Sequence, residues 1–363
     1  MPSAYATKVA EGFSQKVLQE IYAKSIFDEI VNRDYEGEIL AVGSKLNILS
    51  FAKLAEKTYS GANLTADDLT EVNAVLTIDQ FKSFYFKEKT LDRFKSFIKE
   101  PKGTILEQAA NERRKNIDTY ILGFYGDVAA GNRIGTDYVT GTVTVDVTTG
   151  AVTGSGTTFT SAMVGRGFKA VGHTKWYRVS AYSSTTAITI INDSDDETAA
   201  YDGGAISGGT AYVIEASAKL QVAASTILNY LLTLKQRLDD QEVPDEGRWL
   251  VVPPTIGRII MQATGVVLSV PSYYEDLKVR GFLTEMGGFK IFQSPRVTGD
   301  NTNGYRVLAG HNAWLTFADK QLQAGMEEDL IGNFGMAFKD LFVYGAKVAD
   351  NRRKFAVEGY WYV

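Results

Sequence analysis

The sequence predicts an α+β fold interrupted by an inserted all-β domain, and three observations carry that expectation. Apolar residues recur every three to four positions along one long stretch, 104–126, which is the period of a helix with one buried face. Shorter stretches alternate apolar and polar residues or run continuously apolar, as in Arg248-Trp249-Leu250-Val251-Val252, the patterns of half-buried and fully buried strands. Between Thr136 and Glu215 the composition shifts abruptly: these 80 residues hold 16 Thr and 11 Gly but only four bases, Arg166, Lys169, Lys175 and Arg178.

Taken in order, Val9, Phe13, Val17 and Ile21, then Ile26, Phe27 and Ile30, follow each other at spacings of three to five. This predicts an amphipathic helix or helix pair over 1–35, an N-terminal arm that needs a surface to lie on. From Gly37 the period changes. Leu46, Ile48 and Ser50 alternate with Lys45, Asn47 and Leu49, and Val72, Ala74, Leu76 and Ile78 alternate with mostly polar neighbours. Two strands are expected, joined by a polar tip, KLAEKTYSGANLTADDLTE, that is too poor in apolar residues for a core of its own. The segment 36–89 therefore reads as a long two-stranded arm, and because isolated two-stranded ribbons are marginal in water it must be held by something else.

Thr104-Ile105-Leu106-Glu107 matches a capping box, so a long helix is expected to begin there. Leu106, Ala109, Ala110, Arg113, Ile117, Tyr120, Ile121 and Phe124 make one stripe as far as Gly126, enough for a spine of roughly 33 Å at 1.5 Å per residue. Within 136–215, the segments VTGTVTVDV, KWYRVSAY and TAITII are separated by Gly, Ser and Asp clusters, the signature of a small all-β module. Helical period resumes at Leu220, Ala223, Ile227, Tyr230, Leu231, Leu234 and Leu238 and ends before Pro244. The strand 248–252 runs into Pro253-Pro254, whose missing N–H groups stop a ladder, and Thr255 opens a short helix through Met261. Strands are expected at 288–294, 305–309 and 314–317, then in VYGAKV and FAVEGYWYV.

Over 363 residues, area scaling buries roughly three quarters of the unfolded surface, enough for two or three domains. The chain carries 38 basic and 43 acidic residues, a net charge of −5, so no global basic field draws it onto nucleic-acid phosphates. Outside 136–215 the balance is 34 to 35, so the insert carries most of the net negative charge. With no cysteine there are no disulfides, thiolate zinc sites or cysteine nucleophiles. Apolar runs stop far short of a membrane helix and MPSAYATKVAEGF lacks the apolar stretch of a signal peptide, so the chain is expected to be made and first kept inside a cell.

Chemistry-bearing patterns are missing. His173 and His311 are the only histidines and lie in different proposed domains, which supports neither a two-histidine metal site nor a catalytic triad; surface or capping roles are expected for both. There is no phosphate-binding glycine loop, HExxH or GxSxG. Asn192-Asp193-Ser194-Asp195-Asp196-Glu197 could attract Ca²⁺ but lacks the glycine and distant glutamate of a calcium loop, and a solvated loop is the better reading. The triplets Arg352-Arg353-Lys354 and Glu327-Glu328-Asp329 read first as solvated faces and, more sharply, as intersubunit salt bridges. Aromatics say more: SFYFKEK at 83–89 alternates large rings, Tyr85 and Phe86 among them, on an arm with no obvious core beneath it, and EGYWYV ends the chain. Partner surfaces would explain both. No catalytic, cofactor or metal residue is assigned. Tyr85, Phe86, Glu327, Glu328, Asp329, Arg352, Arg353 and Lys354 are the candidate assembly contacts.

This order of elements, with RWLVVPPTIGRII in the α/β region and GNFGMAFKDLFVYGAKVADNRRKFAV near the end, resembles the major capsid proteins of tailed bacteriophages, which have the Hong Kong ninety-seven fold. The insert, VTGSGTTFTSAMVGRGF followed by KWYRVSAYSSTTAITI, is similar to small β modules of phage structural proteins. The resemblance implies an N-terminal arm (1–35), an extended loop (36–89) lying on a neighbouring subunit and a peripheral domain with its spine helix (90–135). It further implies the inserted β domain (136–215), an axial domain (216–320) and C-terminal strands returning to the periphery (321–363). It also implies hexamers and pentamers of the chain, a separate scaffolding protein, a portal and decoration proteins. Genome DNA would be enclosed without sequence-specific contact, with no membrane and no cofactor, in a virion capsid assembled in the host cytoplasm. Two other functions stand beside it: an encapsulin-like compartment shell, and an enzyme or glycan-binding protein whose Trp176 and Tyr177 stack on sugars.

Overall fold

The computed structural model describes residues 25–34, 45–51, 71–89, 101–194, 199–263, 282–329 and 335–363. The expected helical stripe of Val9, Phe13, Val17 and Ile21 and the arm's tip at 52–70 lie outside them. The first described helix, α1 (Phe27–Ile30), buries Ile26, Phe27 and Ile30, so the apolar end of the N-terminal segment belongs to the main core.

Strands β1 (Lys45–Phe51) and β2 (Glu71–Thr77) pair antiparallel, Lys45 opposite Thr77 through Phe51 opposite Glu71, as a two-stranded ribbon. The arm is shorter than expected from the sequence. Strand β3 (Gln80–Lys89) leaves it and joins a three-stranded sheet with β19 (Thr316–Asp329) and β20 (Gly335–Lys347), in the order β19-β20-β3. Ile48, Leu76 and Ile78 pack with Ala318 and Val343, so the chain itself holds the base of the ribbon.

The spine helix α2 (Pro101–Leu122) begins three residues before the expected capping box. Proline suits a first helical turn because its missing N–H would be unpaired there in any case. A 3-10 turn, Gly123–Asp127, continues from its end. The short strand β4 (Arg133–Ile134) then leads into β5 (Thr136–Tyr138), β6 (Thr142–Val145), β7 (Ala151–Ser155), β8 (Gly167–Ala170), β9 (Tyr177–Ser184), β10 (Ala187–Asn192), β11 (Ile206–Thr210) and β12 (Tyr212–Ala218). These eight strands form one sheet, β11-β6-β7-β10-β9-β8-β12-β5. Its core includes Val143, Val152, Phe159, Phe168, Tyr177, Val179, Ile188, Ile190 and Ile214, all from within the module.

Leu220 does not start the next helix. It lies in β13 (Leu220–Gln221), parallel to the last strand, and helix α3 (Ile227–Asp240) begins later, burying Ile227, Leu231, Leu234 and Leu238. Strand β14 (Arg248–Val252) and helix α4 (Pro254–Gln262), with Pro253 at its N-terminal boundary, follow as expected. Strands β15 (Phe282–Met286), β16 (Phe289–Gln293), β17 (Gly299–Asp300), β18 (Gly304–His311) and β21 (Ala356–Tyr362) complete the second large sheet, ordered β13-β21-β18-β14-β16-β15 with β17 and β4 at its margins.

This sheet is covered on both faces, and the pleat divides its residues between them. Trp249, Val251, Phe292, Leu308 and Ala356 face α1, the spine and the three-stranded sheet. Leu250, Val252, Phe289, Ile291, Val307, Ala309, Val357 and Trp361 face α3 and α4. The unbroken apolar run of β14 is thus the expected pattern for a central strand with no solvent face.

Candidate functional site

Three regions gather the groups that bear on function: an exposed strand face, the junction between the two large sheets, and a buried carboxylate under the spine helix.

Along β3 side chains alternate across the sheet. Phe84 and Phe86 point to the covered side. The Phe86 ring stacks on Phe338 at 4.8 Å, and the Arg113 guanidinium of the spine lies 5.7 Å from the Phe84 ring and 4.3 Å from Phe342 while pairing with Asp340. The aromatics of SFYFKEK therefore do have a core beneath them, built from β20 and the spine. Tyr85 and Phe81 point the other way and remain 66% and 47% exposed. These two large rings share one face of a strand that ends its three-stranded sheet among the described residues, Tyr85 about two thirds open and Phe81 about half covered.

The C-terminal basic triplet splits three ways. Arg352 is exposed over the Phe355 ring at 4.9 Å, and Lys354 Nζ donates to the Gln241 carbonyl at 3.3 Å. Arg353 is 3% exposed, so the reading of the triplet as one solvated face is corrected there. Its guanidinium pairs with Asp193 at 2.8 Å and donates to the Asp127 carbonyl at 3.2 Å. Glu327, Glu328 and Asp329 lie at the far end of β19, opposite Phe338, Ala337 and Met336.

Where the chain enters and leaves the eight-stranded module, charged groups are buried together. Glu358 of β21 accepts from Arg166 of the module at 2.9 and 3.2 Å and from Arg306 of β18 at 2.9 Å. Arg133 Nε sits between two carboxylates at ion-pair distance, 3.6 Å from Glu358 and 3.8 Å from Glu215. Its other nitrogens donate to the carbonyls of Gly126 and Val128, at the end of the turn that continues the spine, and to that of Gly165 in the module. Glu215 accepts from the Gly131 amide at 2.7 Å and the Gly167 amide at 3.2 Å. Burial pushes its pKa up to about 7 against the opposing pull of Arg133, and burial also lowers that of Arg166. Asp193 completes the ring, accepting from the Ala130 amide at 2.6 Å. The loop read as solvated is therefore anchored at Asp193, while 195–198 lie outside the described residues.

Beneath the spine, Asp118 is fully buried. It accepts from the Ser25 hydroxyl at 2.8 Å, from the amides of Ile26 and Phe27 at 3.2 and 3.1 Å, and from Arg296 at 2.8 Å. Burial raises its pKa to about 6, outweighing the Ser25 hydrogen bond and the Arg296 charge.

His173 is buried rather than at the surface, with Nε2 2.6 Å from the Tyr201 hydroxyl, and His311 caps its turn by accepting from the Ala313 amide at 3.1 Å. Burial lowers the pKa of both. Tyr177 is buried in the module's core, and Trp176 packs so closely on Gly131 that a Cβ there would lie 2.6 Å from its indole nitrogen. The two rings thus form no open sugar platform. Among the described residues no cluster of His, Cys, Asp and Glu could hold a metal, and no helix is long and apolar enough to cross a membrane.

No family model and no curated protein matches the chain. Solved structures do. A Mycobacterium phage Che8 structure aligns at TM-score 0.58 and 17% identity over 98% of both chains. A cyanophage P-SCSP1u capsid aligns at 0.56 and 14% over 98% of this chain and 93% of the other, and a Ralstonia phage GP4 capsid at 0.53 and 13% over 99% and 97%. The chain shares its fold, a mixture of helix and strand, with these phage capsid structures over nearly its whole length.

Proposed function

We propose that the chain is a structural subunit of an icosahedral bacteriophage capsid that assembles into hexamers and pentamers around the genome. The observation that carries this reading is the end-to-end match to solved phage capsids, with about 97% or more of this and the capsid chain aligned in the Ralstonia phage case. The molecule supplies physical support in the ribbon β1–β2, which projects from a small base of packed residues, and in the exposed rings of Phe81 and Tyr85. The resemblance noted in the sequence then gives the layout: arm, extended loop, peripheral domain on the spine, inserted module, and an axial domain around the second large sheet. β3 belongs with the peripheral sheet rather than the loop.

Tyr85, Arg352 and the acidic end of β19 at Glu327, Glu328 and Asp329 are the assembly contacts in this proposal. Phe86 and Arg353 support their elements from within. The net charge of −5 gives the subunit no means to gather DNA by itself, so genome packaging requires another component, entering through a portal. A separate scaffolding protein would set shell size, decoration proteins would bind the finished surface, and assembly would take place in the host cytoplasm. Electron microscopy of the chain co-expressed with its genomic neighbours tests the reading. Closed icosahedral shells containing this chain as the main component are expected, and a chain that stays monomeric alongside a working scaffold would overturn it.

A further inference from the structure

The junction between module and body has features that a passive joint does not require. The chain crosses it twice, entering through Gly131–Gly135 and leaving through Glu215–Ala218. The two crossings touch backbone to backbone, since a Cβ on Gly135 would lie 2.9 Å from Ala216. Both carry unusual backbone. Gly131 has φ +94°, open to glycine, but Ala216 has φ +44°, which an alanine adopts only when its surroundings hold it there. That holding is local: the Ala216 amide donates to Asp137 at 2.9 Å, and its neighbour Glu215 reaches back to the amide of Gly131 and across to that of Gly167. One carboxylate therefore ties the entering crossing, the leaving crossing and the module's own β8.

We propose that this junction is a proton-controlled latch, in which Glu215 and Glu358, on either side of Arg133, fix the module's orientation on the second large sheet and protonation of Glu215 tightens the closure. The groups facing Glu215 are Arg133 from β4, Glu358 from β21 and Asp193 from the loop after β10. Arg166, Arg306 and Arg353 stand behind the two carboxylates, and Asp137 lies beside it on Ala216. Three acidic groups share a site closed to water, so ionising the one without a close arginine costs most. Glu358 has hydrogen-bonded guanidinium partners at 2.9 Å and Asp193 has Arg353 at 2.8 Å, whereas Glu215 has only Arg133, at 3.8 Å.

The direction follows from linkage. A carboxyl whose pKa is about 7 in the closed junction and 4.5 when freed binds its proton more tightly in the closed form. Closure is strongest below 4.5 and weakens as pH rises to 7, with at most tenfold per pKa unit in the closing equilibrium. This inference does not depend on assembly, and the unassembled full-length chain suffices to test it.

Hydrogen exchange of the Gly131 and Gly167 amides, corrected for intrinsic chemistry and read at about pH 5.5 and about pH 8, is the measurement. In the native chain the protection of both amides is expected to fall at least tenfold at the higher pH. Glu215→Gln, which cannot ionise, should reduce that change to less than about twofold while the module's core amides stay protected. Arg166→Met, which removes the module's own tie to Glu358, should lower protection at both pH values and leave the pH step in place. This second variant keeps the test decisive if Glu215→Gln folds poorly. Equal protection at both pH values in the native chain, a pH step that survives in Glu215→Gln, or unchanged protection in Arg166→Met would each overturn the latch.

Discussion

At Asp118 three pieces of the chain meet: Ser25 with the start of α1, the spine that carries the carboxylate, and Arg296 from the loop before β17. Replacing it with alanine removes the acceptor for all of them and leaves Arg296 buried without its carboxylate. A loss of about 3–5 kcal/mol in unfolding free energy is expected, with Asp118→Asn losing less because its amide oxygen still accepts. The same residue sets a pH dependence. Its pKa of about 6 in the folded chain lies above the ordinary 3.8, so its contribution is largest below 3.8, declines as pH rises to about 6, and is level beyond. Denaturant unfolding between about pH 4 and pH 7 should show a decline of at most about 3 kcal/mol that Asp118→Asn lacks. None of this was legible in the sequence. Asp118 sits beside the apolar stripe of the spine helix, and one carboxylate among 43 acidic residues carries no sign that its partners come from residues 91 to 178 positions away. The triplet Arg352-Arg353-Lys354 shows the same gap, because adjacent charges in a 3-10 turn, Asp350–Phe355, point in different directions and only Arg353 turns inward.

Among the elements, β3 divides its two faces between folding and contact, and substitutions on each should separate cleanly. Phe86→Ala removes a stacked, half-buried ring and should cost the subunit about 1–2 kcal/mol, less than the 3–5 typical of a fully buried phenylalanine. Tyr85→Ser with Phe81→Ser touches exposed surface and should change subunit stability by no more than about 0.5 kcal/mol per site while particle yield falls sharply. Unfolding midpoints for both variants beside particle counts by electron microscopy would show whether the split exists; loss of stability in the double serine variant would count against a contact face. Alternation in SFYFKEK is visible in the sequence but places those residues on the two-stranded arm rather than in the sheet with β20, whereas the run RWLVV followed by two prolines places β14 and α4 almost to the residue. Strand partners were harder. The pairing of β3 with β20 spans about 250 residues, and a local period of two gives the faces of a strand but not the strand beside it. The helix expected over 220–238 starts late for a related reason: Leu220, three residues before Ala223, fits the helical stripe as well as a strand, and the open edge of β21 claims it.

For the molecule as a whole, the decisive relation is between module and body. The fifteen buried residues of the module's core all lie between Val143 and Ile214, so the eight-stranded sheet needs no apolar surface from the rest of the chain. Apart from the Trp176 ring against Gly131, what crosses the junction is polar: Arg166 to Glu358, Arg353 to Asp193, and Arg133 among the carbonyls of both sides. Polar ties of this kind specify an orientation more than they stabilise a core, because each carries a desolvation cost close to its Coulombic gain. The abrupt change in composition at Thr136 made the module visible in the sequence; the ties are invisible there, since arginines 133, 166, 306 and 353 have nothing in common but their meeting place. Two fragments should therefore behave unequally. Residues 133–220 expressed alone should give a β-rich circular dichroism spectrum and a cooperative melt, because nothing in its core is lost. The body with 136–218 replaced by a short flexible linker should still unfold cooperatively, but Arg353, deprived of Asp193 and still buried against Val128, should lower its stability by about 3 kcal/mol or more. Adding Arg353→Met to the shortened body removes the stranded charge and should restore most of that loss. If the isolated module is unfolded, or if Arg353→Met leaves the shortened body no more stable, then the module and body share a core after all and the junction does more than orient them.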